Sequence, residues 1–253
     1  MSRTGEEFSG QAKQRSGWLI PLAVFFVTAS LSALVLAYYF APPTGLTEEL
    51  PVPTDATNMV AVSVGSTDFH IPANYMVLSS ARRGGAQKEL TMTASIPGFE
   101  GYTLAAAQQF TGNAVDSPVV NFTVKSEGLP VPEQERLTRV YLQPQDASAD
   151  PSQPGAPPLP RGTPGPYGLR QYALRPDSGY RDMDLFVGAT DSGPLILLCD
   201  KPGAETPSPN CLRDTRLNDR LGLSYRFKRT HLADWKTIDS GLRSLIGRFT
   251  DAK

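Results

Sequence analysis

WLIPLAVFFVTASLSALVLAYYF, residues 18–40, carries no charged side chain across 23 positions. As a helix rising about 1.5 Å per residue it would be roughly 34 Å long. That is enough to cross a hydrocarbon core of about 30 Å with a little tilt. Trp18 at one end and Tyr38 and Tyr39 at the other suit the two membrane interfaces. A cleaved secretory signal would end its apolar core sooner, at small residues such as those around Ser30 and Ser32, whereas this run continues to Phe40. The stretch therefore reads as an uncleaved signal-anchor, a single-pass span with the lipid bilayer as its partner.

Its flanks orient it. Arg3, Lys13 and Arg15 precede the span, while Glu48 and Glu49 follow it and no Lys or Arg occurs until Arg82. Positive flanks stay on the cytoplasmic side, so residues 1–17 form a cytoplasmic tail and everything after the span lies outside. A bacterial inner membrane with a periplasmic domain is the expected setting. With a net charge of −1, no global field draws the chain to nucleic acid, and no basic run with interleaved aromatics appears.

Residues 41–57 hold four prolines without hydrophobic periodicity and read as a tether. From residue 58 the period becomes two. Residues 59–64 (MVAVSV), 68–71, 75–78, 89–96 (ELTMTASI), 119–125 and 137–142 are strand candidates, and Leu90, Met92, Ala94 and Ile96 share one face. Thr103 is a candidate cap for a short helix over 104–110. Residues 143–168 then hold eight prolines with no pattern able to bury anything, and read as a disordered excursion. Strands resume at 169–174, 183–187, 195–199 and 221–227. Leu232, Trp235, Ile238, Leu242, Leu245, Ile246 and Phe249 recur at helical steps, with Thr230 as a possible cap. The expected fold is a single N-terminal transmembrane helix plus an extracytoplasmic mostly-β (α+β) domain, residues 58–253, with antiparallel strands and a C-terminal amphipathic helix across them.

Cys199 and Cys211 are the whole thiol inventory and close a loop of turn-forming residues. On the outer side of a membrane this spacing reads as a structural disulfide. Charge is uneven: residues 44–160 balance to −6 and residues 201–253 to +5. Arg213, Arg216, Arg220, Arg226, Lys228 and Arg229 make most of that excess. They read either as strand residues solvated singly or as a basic surface for an acidic partner or lipid headgroups.

Residues 190–199 (TDSGPLILLC) resemble the nucleophile segment of chymotrypsin-like serine proteases. Thr190 stands where that family has its first glycine, and the glycine pair after the serine is reduced to Gly193. That chemistry needs a histidine base oriented by a buried aspartate. Only His70 and His231 are present, and neither sits in a segment like that family's histidine motif. Asp-Ser-Gly-Pro is also a good β-turn in its own right. Two distant histidines and no phosphate loop leave no metal or cofactor site in the pattern. The expectation is a non-enzymatic module that binds another envelope protein or joins a complex. The alternative is an envelope-polymer hydrolase with Ser192 as nucleophile.

Overall fold

The computed structural model describes residues 17–40, 49–142, 161–190 and 193–251. The chain divides into two compact units, Met1–Glu49 and Leu50–Lys253. In the first, α1 (Leu19–Phe40) is an apolar helix of 22 residues. Its side chains are exposed from Trp18 through Leu36, and the Thr28 hydroxyl donates back to the Val24 carbonyl at 2.9 Å. A hydroxyl on an apolar helix is satisfied in this way by the helix's own backbone.

The second unit is built on two sheets. β1 (Met59–Val64) and β2 (Thr67–Pro72) form a hairpin, and β3 (Gly85–Gln87) lies parallel to β1. The larger sheet has eight strands in the order β4 (Glu89–Ser95), β5 (Val119–Lys125), β11 (Gly222–Lys228), β10 (Asn210–Arg216), β9 (Gly193–Asp200), β8 (Met183–Thr190), β7 (Arg170–Tyr172), β6 (Thr163–Pro164). All its pairings are antiparallel. Strands from both sides of residues 143–160 share this sheet, joined where β5 meets β11. Residues 143–160 themselves, which carry most of the proline-rich excursion, lie outside the described residues, as do 41–48 of the tether.

The main core lies between the large sheet, the β1–β2 hairpin and α4 (Trp235–Asp251). In β4 the expected alternation holds: Leu90, Met92 and Ala94 are buried and their neighbours are not. All seven apolar residues expected on the C-terminal helix are buried. The continuous run in β9 has a separate cause. Leu195, Leu197 and Cys199 enter the main core, while Ile196 and Leu198 enter a second cluster on the opposite face of the sheet. A strand covered on both sides has no reason to alternate.

That second cluster corrects the sequence reading of residues 137–142. They form a widened helical turn, Leu137–Tyr141, following the short helix α3 (Glu133–Arg136). Strand geometry would place Leu137 and Tyr141 opposite Leu142. The wide turn puts all three over β8 and β9, against Leu185, Ile196 and Leu198. Residues 75–78 are likewise not a strand. The chain makes a 3₁₀ turn at Ala73–Tyr75, with Asn74 donating to the Tyr102 carbonyl and Tyr75 to that of Phe99, and only Met76 bridges to Met92. Thr103 does cap, accepting the Ala106 N–H. Thr230 does not: its hydroxyl donates to the Val115 carbonyl, and a 3₁₀ stretch, Arg229–Asp234, precedes α4.

Cys199 and Cys211 are direct cross-strand partners on β9 and β10, bonded with S–S 2.01 Å and fully buried. Beyond the neighbouring pair, Leu198 and Leu212, these two strands part company.

Candidate binding site

The six basic residues of the C-terminal region divide by strand parity, because successive side chains on a strand leave opposite faces. On β10, Arg213 points inward with Cys211 and Thr215. It is 2% exposed and lies where β9 and β10 separate. Glu133 of α3 fills that gap. Its Oε1 accepts the Ile196 N–H at 2.9 Å and Arg213 Nε at 3.0 Å; its Oε2 accepts Arg213 Nη2 at 2.7 Å and the Thr215 hydroxyl at 2.9 Å. One carboxylate thus replaces the missing ladder and neutralises the guanidinium.

The other side of Arg213 meets Asp239 of α4, which also accepts the Tyr225 hydroxyl at 3.2 Å and Arg243 Nε at 3.3 Å. Burial works to lower the Arg213 pKa, but the Glu133 hydrogen bonds and the surrounding negative charges outweigh it and the net shift is upward. Burial pushes the Tyr225 phenol up, only partly offset by Arg213. With two arginines facing two carboxylates, the cluster is neutral and ties α3, β10 and α4 together.

Arg229 is also turned to internal use. It pairs with Asp184 at 2.6 Å, donates to the Asp200 carbonyl and lies over the Phe186 ring. Arg216 and Arg220 are exposed at the β10–β11 turn, reaching the Pro130 carbonyl and the Ser66 hydroxyl.

Arg226 and Lys228 project from β11 on the face opposite Tyr225 and Phe227. They enter a cavity of about 380 Å³ between that face and the segment containing α2 (Ala107–Thr111). Strand register builds the floor: Arg226 is paired with Asn121 of β5, and Lys228 with Asn210 of β10. Gln109, Asn113 and Ser117 line the wall, and no carboxylate does so among the described residues. The Lys228 amine is held by Asn113 Oδ1 at 2.6 Å and the Ser208 carbonyl at 3.5 Å. Burial, then the positive charge of Arg226, lower its pKa; Asp200 acts against them. The Asp200 carboxylate accepts the Asn210 N–H. The Arg226 side chain is exposed and makes no hydrogen bond or ion pair among the described residues.

The fragment that resembles a protease nucleophile is only partly described. Thr190 and Gly193 pair at the end of the β8–β9 hairpin, while Asp191 and Ser192 lie outside the described residues. His231 Nε2 lies 3.2 Å from the carbonyls of Asp116 and Ser117. No group of three or more His, Cys, Asp or Glu placed to hold a metal occurs among the described residues.

These features define a mostly-β domain with antiparallel sheets, a C-terminal helix and a cation-lined cavity, joined to an apolar N-terminal helix. No family model matches the chain, and no curated protein sequence does. Among solved structures it is similar to Smlt3025, an immunity protein of the Stenotrophomonas maltophilia type IV secretion system. The TM-score is 0.53 at 19% identity, over 76% of this chain and 93% of that one. At that identity the likeness is one of fold. A weaker match is the Neisseria meningitidis iron-regulated outer membrane lipoprotein FrpD, with TM-score 0.45 and 10% identity over 80% of this chain and 97% of that one.

Proposed function

We propose that this chain is a membrane-anchored, envelope-side binding module. In this reading α1 lies in the bilayer with the N-terminal tail in the cytoplasm, and the β domain outside holds another envelope protein. The observation that carries it is α1 itself: 22 residues with no charge and with exposed apolar side chains from Trp18 through Leu36. Burying that surface in lipid gains about 25 cal/mol per Å². The basic residues before the helix support the orientation, and the cysteine bond suits an oxidising compartment. Shared fold with an immunity protein gives the reading its specific form, a domain that acts by binding rather than by chemistry. Arg216 and Arg220, exposed together at one turn, are the candidate contact points for an acidic partner surface.

The test combines topology and assembly on the full chain with a C-terminal tag. The chain should resist alkaline carbonate extraction, and the tag should be digested in intact spheroplasts. Cross-linking before solubilisation should give one reproducible adduct, weakened by Arg216→Glu with Arg220→Glu. Extraction by carbonate would refute the anchor. A cross-linked pattern of the single chain alone would refute the binding role.

A further inference from the structure

The cavity over β5, β11 and β10 contains more cationic character than its own structure uses. Two positive side chains, Arg226 and Lys228, sit two residues apart on one strand face with no carboxylate in the lining. Lys228 is 7% exposed, and its amine donates to two neutral oxygens, Asn113 Oδ1 and the Ser208 carbonyl. Fixing two like charges in a part-buried site is unfavourable unless something of opposite sign joins them. Arg229 and Arg213, by contrast, each have carboxylate partners. A partly solvated arginine with no partner, beside a buried lysine and a ring of amides, is a donor array waiting for an acceptor.

We propose that this cavity binds an oxyanion, a carboxylate or phosphate group, with Arg226 as its principal ligand and Asn121, Asn210 and Lys228 as neighbouring donors. The guanidinium offers paired N–H groups that match two oxygens of one anion. Asn121 and Asn210 flank Arg226 and Lys228 by register, so their amide N–H groups extend the same polar floor. The wall contributes Gln109, an exposed residue of α2. A volume of about 380 Å³ accommodates a small molecule or one acidic side chain. An anion there would also oppose the two influences that lower the Lys228 pKa, its burial and the charge of Arg226.

The inference goes beyond the envelope-side reading and does not depend on it, because the cavity belongs to one domain and needs no membrane or protein partner to exist. Calorimetric titration of the full chain in maltoside micelles tests it, with inorganic phosphate, succinate and an acetyl-glutamate amide as probes. Sodium chloride at equal ionic strength is the control. At least one probe should bind saturably with a dissociation constant of about 1 mM or tighter, and Arg226→Ala should weaken it about tenfold or more. Lys88→Ala, a surface cation elsewhere, should leave it unchanged. Arg226 is exposed, so its loss does not threaten folding; Asn121→Ala is a second probe of the same floor. Preference for phosphate points to a free phosphorylated ligand, and preference for the glutamyl amide to an acidic side chain of a partner. No saturable heat up to about 10 mM for any probe, or equal binding by Arg226→Ala, overturns the proposal.

Discussion

Replacing Arg213 by methionine removes the one positive charge that Glu133 and Asp239 share. Methionine fills much of the same space, so the perturbation is chiefly electrostatic. Both carboxylates are deeply placed, with about a tenth of each side chain exposed. Glu133 would keep the Ile196 N–H and the Thr215 hydroxyl, and Asp239 would keep Tyr225 and Arg243. Breaking a buried pair by deleting one partner costs about 3–5 kcal/mol, because the remaining charge is left uncompensated. For a domain of this size each kcal/mol moves the midpoint by about 2–4 °C, giving an expected fall of about 6–20 °C. Thermal unfolding in micelles, followed by near-ultraviolet circular dichroism from the buried Trp235 and Tyr225, reads it directly. Adding Glu133→Gln to Arg213→Met should restore part of the loss, since it removes one of the two stranded charges. A midpoint change under about 2 °C for Arg213→Met would refute the reasoning, as would a double variant worse than the single by the full cost of Glu133→Gln alone.

Reducing the buried cysteine bond, or replacing both residues by serine or alanine, should lower stability by about 3 kcal/mol through the freed loop of the unfolded chain, measured by urea unfolding with and without reductant. The same substitution at two glycines of α4 should have opposite effects. Gly241→Ala drives a methyl into the Phe99 ring and should cost about 1–3 kcal/mol, whereas Gly247→Ala meets nothing within 4 Å and should gain up to about 1 kcal/mol of helix propensity. Thermal midpoints of the two variants check both signs. Alkali should unfold the domain. Burial raises the pKa of Tyr225 above its ordinary value near 10, so the folded state keeps a proton that the unfolded state loses. The stability this confers is complete below about pH 10 and is lost as pH rises toward the folded-state pKa. Tyr225→Phe should flatten the decline in a pH series of unfolding midpoints.

How much of this could be read from the chain alone varied with what each segment packs against. β4 and α4 were legible because each buries a single face, so period two and period 3.6 survive in the sequence. The wide turn at Leu137–Tyr141 was not, because its apolar residues mimic an alternating strand until their common neighbours on β8 and β9 are known. β10 had no clear signature either. Its inward positions are Cys211, Arg213 and Thr215, and Arg213 enters the core only because Glu133 and Asp239 meet it there, from 80 residues before and 26 after. The cation-lined cavity was out of reach for a related reason. The excess of basic residues was plain, but which of them reach solvent depends on strand parity and on the α2 segment folding over β5 and β11.

The position of β11 has a consequence for the order of events in folding. This strand lies near the end of the chain yet sits between β5 and β10, pairing with residues about a hundred positions earlier. Until Gly222–Lys228 is made, β5 has a bare inner edge and the apolar faces of β4 and β5 have no α4 to cover them. Such distant pairings are reached slowly, and the waiting segments are open to misassociation. The nascent N-terminal half should therefore stay open to misassociation until Gly222–Lys228 and α4 arrive, and a chain truncated before β11 should be cleared rather than accumulate.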